Sequence, residues 1–104
     1  MASAFRVVLV TAPRAKADAL AQGIVRARLA ACVNVVAGVV SHYRWKGRVR
    51  RDRESLLVIK TRAAALARLE AWLDANHPYE VPEMIALPIV AGSKPYLSWL
   101  GMDA

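Results

Sequence analysis

The chain of 104 residues has a single cysteine, Cys32, which excludes an intrachain disulfide and any metal cage made of cysteines alone within one chain. Cys32 reads as a small packed hydrophobe, with a metal-binding or redox-sensitive thiol as the other reading. No apolar stretch reaches the roughly 18 to 20 residues of a membrane span. Before Ala12 only the short run Val7 to Val10 is apolar, without a cleavage pattern, so a cytoplasmic protein without a membrane partner is expected. Histidine occurs twice, at His42 and His77. No serine, cysteine and histidine arrangement with usable spacing accompanies either, so the chain is expected not to be an enzyme. Acidic residues are few, 8 against 15 basic ones, for a formal charge of +7. Much of the excess sits in Arg44 to Arg53, which has six basic residues and only Asp52 against them. A solvated hairpin tip accounts for that concentration, and a specific nucleic-acid partner is not expected.

Two long β-rich runs, Cys32 to Trp45 and Arg48 to Thr61, flank the dipeptide Lys46-Gly47. Glycine at the second turn position accepts a positive φ, so the dipeptide suits a tight two-residue reversal. At about 3.3 Å per residue each arm is about 45 Å long, whereas a helix of about 17 residues spans only about 25 Å. The ribbon therefore outruns the helices that cover it. A bulge at Gly38 would divide the first arm without removing the overhang.

The rest of the pattern alternates. Arg6 to Thr11 reads as a buried strand, and Pro13 opens a helix over Arg14 to Ala31 with Ala17, Leu20, Ala21, Ile24 and Ala27 on one face. Gly23 inside that helix implies a closely packed neighbour. A second helix runs from about Ala63 to Asn76 on Leu66, Leu69 and Leu73, and Asn76-His77-Pro78 stops it. A strand Met84 to Val90 follows, and Tyr96 to Leu100 adds a short helix. The order is βαββαβ. Right-handed crossovers place both main helices on one face of a four-stranded antiparallel sheet, an α+β ferredoxin-like sandwich forming one domain over residues 1–104. Hydrophobic residues make up 57% of the chain, above the usual 45 to 50% or so, which favours an oligomer.

Across a two-residue turn Trp45 faces Arg48, Tyr43 faces Arg50, Ser41 faces Asp52 and His42 faces Arg51. Guanidinium groups would then lie over aromatic faces. Aromatics near the tip of an overhanging ribbon are expected to anchor a partner chain, and unpaired ribbon edges ask for pairing with identical copies. An RNA-binding reading of βαββαβ lacks the paired aromatics that a central strand would offer to bases.

The motifs Val8-Leu9-Val10-Thr11-Ala12-Pro13, Arg28-Leu29-Ala30-Ala31-Cys32-Val33-Asn34, Tyr43-Arg44-Trp45-Lys46-Gly47, Leu57-Val58-Ile59-Lys60-Thr61, His77-Pro78-Tyr79-Glu80-Val81-Pro82-Glu83 and Tyr96-Leu97-Ser98-Trp99-Leu100 occur in this fixed order. Together they cover nearly the whole chain, which resembles the CutA divalent-cation tolerance family. The resemblance implies an interlocked cytoplasmic homotrimer, a link to copper or other divalent-cation tolerance, no organic cofactor and no established reaction. The family's copper ligands, a cysteine on the first strand and two histidines before the proline, fall on Val10, Asn76 and His77. Only His77 keeps a ligand type, which implies weak metal binding. The other reading of His77 is a cap on the second helix.

Glu54, Lys60, Tyr79 and Glu83 recur in or beside the matched motifs, and with Tyr43, Trp45 and Trp99 they are expected to line a cleft or interface between subunits. For Lys60 an interface ion pair and a ligand pocket stand as alternatives. Glu80 and Glu83 read either as oxygen ligands for a cation or as partners of arginines. The hairpin departs from the family, whose relatives commonly carry acidic residues at the turn where this chain has Lys46, Arg48, Arg50, Arg51 and Arg53. The alternative function is a trimeric small-molecule or nucleotide sensor resembling the PII signalling proteins, although their glycine-rich phosphate loop is missing here.

Overall fold

A computed structural model describes residues 4–103, so residues 1–3 and 104 of the expected domain lie outside the description. The elements run β1 (Phe5–Pro13), α1 (Arg14–Arg26), β2 (Cys32–Trp45), β3 (Arg48–Arg62), a 3-10 turn (Ala63–Ala65), α2 (Leu66–Asn76), β4 (Ile85–Pro88) and α3 (Lys94–Asp103). The sheet order is β2-β3-β1-β4, with every neighbouring pair antiparallel. This is the expected α+β ferredoxin-like arrangement.

Alternation along the strands sorts the side chains. Val8, Val10 and Ala12 of β1, with Leu57 and Ile59 of β3, are buried beneath Leu20 and Ile24 of α1 and Leu69 and Leu73 of α2. Each buried Leu or Ile contributes about 1.5 to 3 kcal/mol relative to exposure. The opposite face, with Val7, Leu9, Leu56 and Val58, is only half-buried. Helix α3 lies at one end, where Phe5 Cζ comes within 3.3 Å of a Cβ position on Gly101 and Leu100 is fully buried.

The Lys46-Gly47 turn has φ values of 51° and 78°, the left-handed pair that a type I′ turn requires. Gly38 has φ 79°, and the register shifts between Val36 and Val39, so the bulge is present. β1 pairs with β3 only as far as Pro13 opposite Glu54. Beyond that point the arms Val40–Trp45 and Arg48–Arg53 pair with each other alone, and the molecule stretches to 44 × 24 × 23 Å.

Several boundaries move. Pro13 ends β1 and precedes α1 instead of opening the helix. Helix α1 stops at Arg26 rather than Ala31. Arg28 turns left-handed at φ 58°, its N–H bonds to Val25 O and the Leu29 N–H bonds to Ile24 O, each at 3.1 Å. This is a Schellman closure, sealed by buried Leu29 on Ile24, with arginine where glycine is usual. β4 is four residues rather than seven: its ladder with β1 runs from Ile85 to Pro88 opposite Arg6, followed by a single backbone bond from the Ile89 N–H to Phe5 O at 3.2 Å. α3 is 10 residues long rather than a short turn. Close packing at Gly23 is present: a Cβ there would sit 2.7 Å from Trp72 Cζ2.

Candidate functional site

The root of the ribbon and the Tyr79–Glu83 segment after α2 flank a half-open cavity of about 700 Å3. The open-face register of β3 aims Asp52 and Glu54 into it, and Tyr43 and Trp45 enter from β2. Pro78 and Pro82 hold the Tyr79–Glu83 segment outside helix and strand, which brings Tyr79, Glu80 and Glu83 to the opposite wall. Thr11, at the end of β1, completes the floor.

Hydrogen bonds tie the walls together. Tyr79 donates its hydroxyl to Glu54 Oε2 at 2.5 Å, and Glu54 is 5% exposed. Tyr43 donates to Asp52 Oδ2, and Thr11 Oγ1 donates to Glu83 Oε1 at 3.4 Å. Both phenols resist ionisation. Tyr79 is pushed up strongly, by burial first and then by its bond to Glu54, while Tyr43 is raised chiefly by its bond to Asp52. Tyr43 thus meets a carboxylate where an arginine over its ring was expected. The cation over Trp45 is Lys46, 5.8 Å from the ring centroid, in place of Arg48.

His77 does not line this cavity but packs behind its wall, against Tyr79 with ring centroids 4.7 Å apart. Its ring Nδ1 accepts the Tyr79 backbone N–H at 3.1 Å, which puts the proton on Nε2, and Nε2 donates to Thr11 O at 2.8 Å. With both nitrogens engaged and the residue 7% exposed, no ring lone pair is free for a metal in this conformation. Nor does the His77 side chain cap α2. The His77 backbone N–H reaches Leu73 O at 2.8 Å, and Asn76 Nδ2 supplies the side-chain cap on Trp72 O at 2.8 Å. Val10, the other family ligand position, is fully buried in the core. Among the described residues no group of three or more His, Cys, Asp or Glu is placed to hold a metal ion.

The expected cleft residues divide in two. Tyr43, Trp45, Glu54, Tyr79 and Glu83 share the cavity, whereas Lys60 and Trp99 sit at the far end of the sheet. Lys60 lies opposite Cys32 and Val7 and donates to Asn34 Oδ1. Trp99 packs on Tyr96 with centroids 5.5 Å apart. Cys32 is half-buried on the open face, its thiol 3.8 Å from Asn34 Oδ1, rather than in the core. Asp52 and Thr11 are site residues that the sequence reading did not assign. The signal for Asp52 was its diagonal relation to Tyr43 across the ladder, close enough for a long side chain to bridge.

Antiparallel ferredoxin-like sheets with two covering helices define a broad fold class, and comparison with known proteins narrows it. The CutA1 divalent ion tolerance protein family model matches residues 6–103. The divalent-cation tolerance protein CutA of Thermus thermophilus is 50% identical over 95 residues, covering 90% of this chain and 92% of that protein. Its solved structure superposes with a TM-score of 0.93 over 96% of this chain and 98% of that one. CutA1 from Oryza sativa gives a TM-score of 0.92 at 44% identity, over 100% and 97% of the two chains. The chain belongs to the CutA divalent-cation tolerance family. The chloroplastic CutA of Arabidopsis thaliana is 54% identical over 90% of this chain, which spans 52% of that relative's length. No helix among the described residues is long and apolar enough to cross a membrane.

Proposed function

We propose that this chain acts in divalent-cation tolerance as a non-enzymatic, cytoplasmic homotrimer that binds copper or another divalent cation weakly. The observation that supports assembly is the unfinished surface of the sheet. The two edge strands expose Val36 at 45%, Ile85 at 53% and Leu87 at 48%, and the face between them has a helix at one end only. Paired and covered by sister copies, these strands lose their unsatisfied edges. Metal capture at His77 requires the ring to release Thr11 or Tyr79, which is consistent with weak rather than tight binding.

Sedimentation of the purified chain tests assembly, with a trimer expected at micromolar concentration and a monomer counting against it. Copper titration of wild type and His77→Ala under reducing conditions tests the metal role, and equal affinities remove His77 from it. The cavity beside the ribbon favours a second reading, a small-molecule sensor resembling the PII proteins with its ligand in a cleft completed by a neighbouring copy. Saturable nucleotide binding without metal binding would select that reading. The basic ribbon needs no specific nucleic acid, and any such binding is expected to vanish at moderate salt.

A further inference from the structure

We propose that the cavity at the ribbon root is a site for an elongated organic polyamine, held by spaced carboxylates and aromatic faces; this rests on the reading of the cavity as a ligand cleft. The charge distribution carries the argument. The chain has a formal charge of +7 and 8 acidic residues, yet Asp52, Glu54, Glu80 and Glu83 all line this one cavity, against Arg50 as its only lysine or arginine. A smaller pocket of about 180 Å3, on the helix-side face of the ribbon, has the opposite character, with Arg14, Arg51 and Arg53 and no carboxylate. Of these two concavities, only the one at the ribbon root suits a cation.

The spacing selects the kind of cation. These carboxylates do not converge as a metal site, since no group of three or more potential ligands is gathered among the described residues. Carboxylates distributed around a volume of about 700 Å3 suit several positive charges strung along one flexible molecule better than a single compact ion. The aromatic faces fit the same guest, because an alkylammonium chain offers methylenes to pack and charges to place over Tyr43, Trp45 and Tyr79. Tyr43 and Tyr79 donate to Asp52 and Glu54 respectively. Each phenol thus fixes one carboxylate oxygen, and at half-buried Asp52 the other can meet an ammonium group.

The test is calorimetric titration of the full chain with spermidine at about 0.15 M salt, where the generic attraction of exposed charges is screened. Saturable binding at one site per chain is expected. Glu83→Gln, at an exposed position, should weaken it about fivefold, and Trp45→Ala about threefold. Glu70→Gln, the same charge change on α2, should leave it unaltered. Absence of saturable binding, equal weakening by Glu70→Gln and Glu83→Gln, or displacement by magnesium charge for charge would each overturn the proposal. If a nucleotide binds the cavity and spermidine does not, the polyamine assignment falls while the cleft reading stands. If neither binds an assembled protein, both fall.

Discussion

Replacing Gly23 by alanine sets two well-defined energies against each other. In an isolated helix the change gains about 1 kcal/mol. Here the added Cβ would lie 2.7 Å from Trp72 Cζ2 and 3.0 Å from Cη2, where carbon pairs prefer about 3.5 to 4.0 Å. The indole must retreat by about 1 Å to regain contact distance. Trp72 packs against the buried core cluster, so its retreat opens a gap as well as relieving a clash, and such overpacking costs about 1 to 3 kcal/mol. Gly23→Ala alone is therefore expected to be neutral to destabilising by about 2 kcal/mol. In a Trp72→Ala background the obstruction is gone, and the same substitution should stabilise by about 1 kcal/mol. The coupling between the two positions, about 1 to 3 kcal/mol, is the quantity to measure. Urea unfolding of the four proteins by circular dichroism supplies it, at one fixed chain concentration because an oligomer's stability depends on concentration. A Gly23→Ala effect that is the same in both backgrounds to within about 0.5 kcal/mol would refute the account of this glycine.

Three further outcomes are expected. Arg28→Gly relieves the left-handed residue that closes α1 at φ 58° and should stabilise by about 1 kcal/mol in the same urea assay. His77→Ala strands the Thr11 carbonyl and the Tyr79 N–H that the imidazole now joins, so a loss of about 2 kcal/mol is expected whether or not metal is present. All of the chain's 3 tyrosines are raised above the ordinary value of 10.0. Below that value folded and unfolded chains hold these protons alike; above it the unfolded chain releases them first, so stability is lost as pH rises from 10 toward the folded values. Phenolate absorbance should then appear together with alkaline unfolding, and Tyr79→Phe should flatten the loss.

The topology was legible because several local signals agreed with one another. Lys46-Gly47, the glycine at 38 and the prolines at 78 and 82 each demand a particular backbone, and each meets it in the structure. The end of α1 was not legible. Its apolar spacing runs on to Ala27, and the left-handed closure is made by Arg28, a residue with no intrinsic preference for that conformation. His77 shows the same limit at the site. Sequence placed it beside a helix-stopping proline, and the Tyr79 N–H comes from the same turn two residues on, but Thr11 arrives through tertiary packing, and the two contacts together decide what its ring can do.

A two-residue period explains how one ribbon carries two chemistries. On β3 the even positions run from Arg48 and Arg50 at the tip through Asp52 and Glu54 to Leu56 and Val58, while the odd positions Arg51 and Arg53 lie on the side that continues into the helix-covered face. Asp52 therefore lies between Arg51 and Arg53, and Glu54 follows Arg53, yet the pleat sends those guanidinium groups to the other surface. Net charge summed along Arg44 to Arg53 cannot reveal this, since it averages the two faces. A one-residue slip of β3 would bring Arg51 and Arg53 to the side now held by Asp52 and Glu54 and carry Leu57 out of the core. The burial of Leu57 and Ile59, each 0% exposed, thus fixes the sign of charge in the cavity as well as the packing of the sheet.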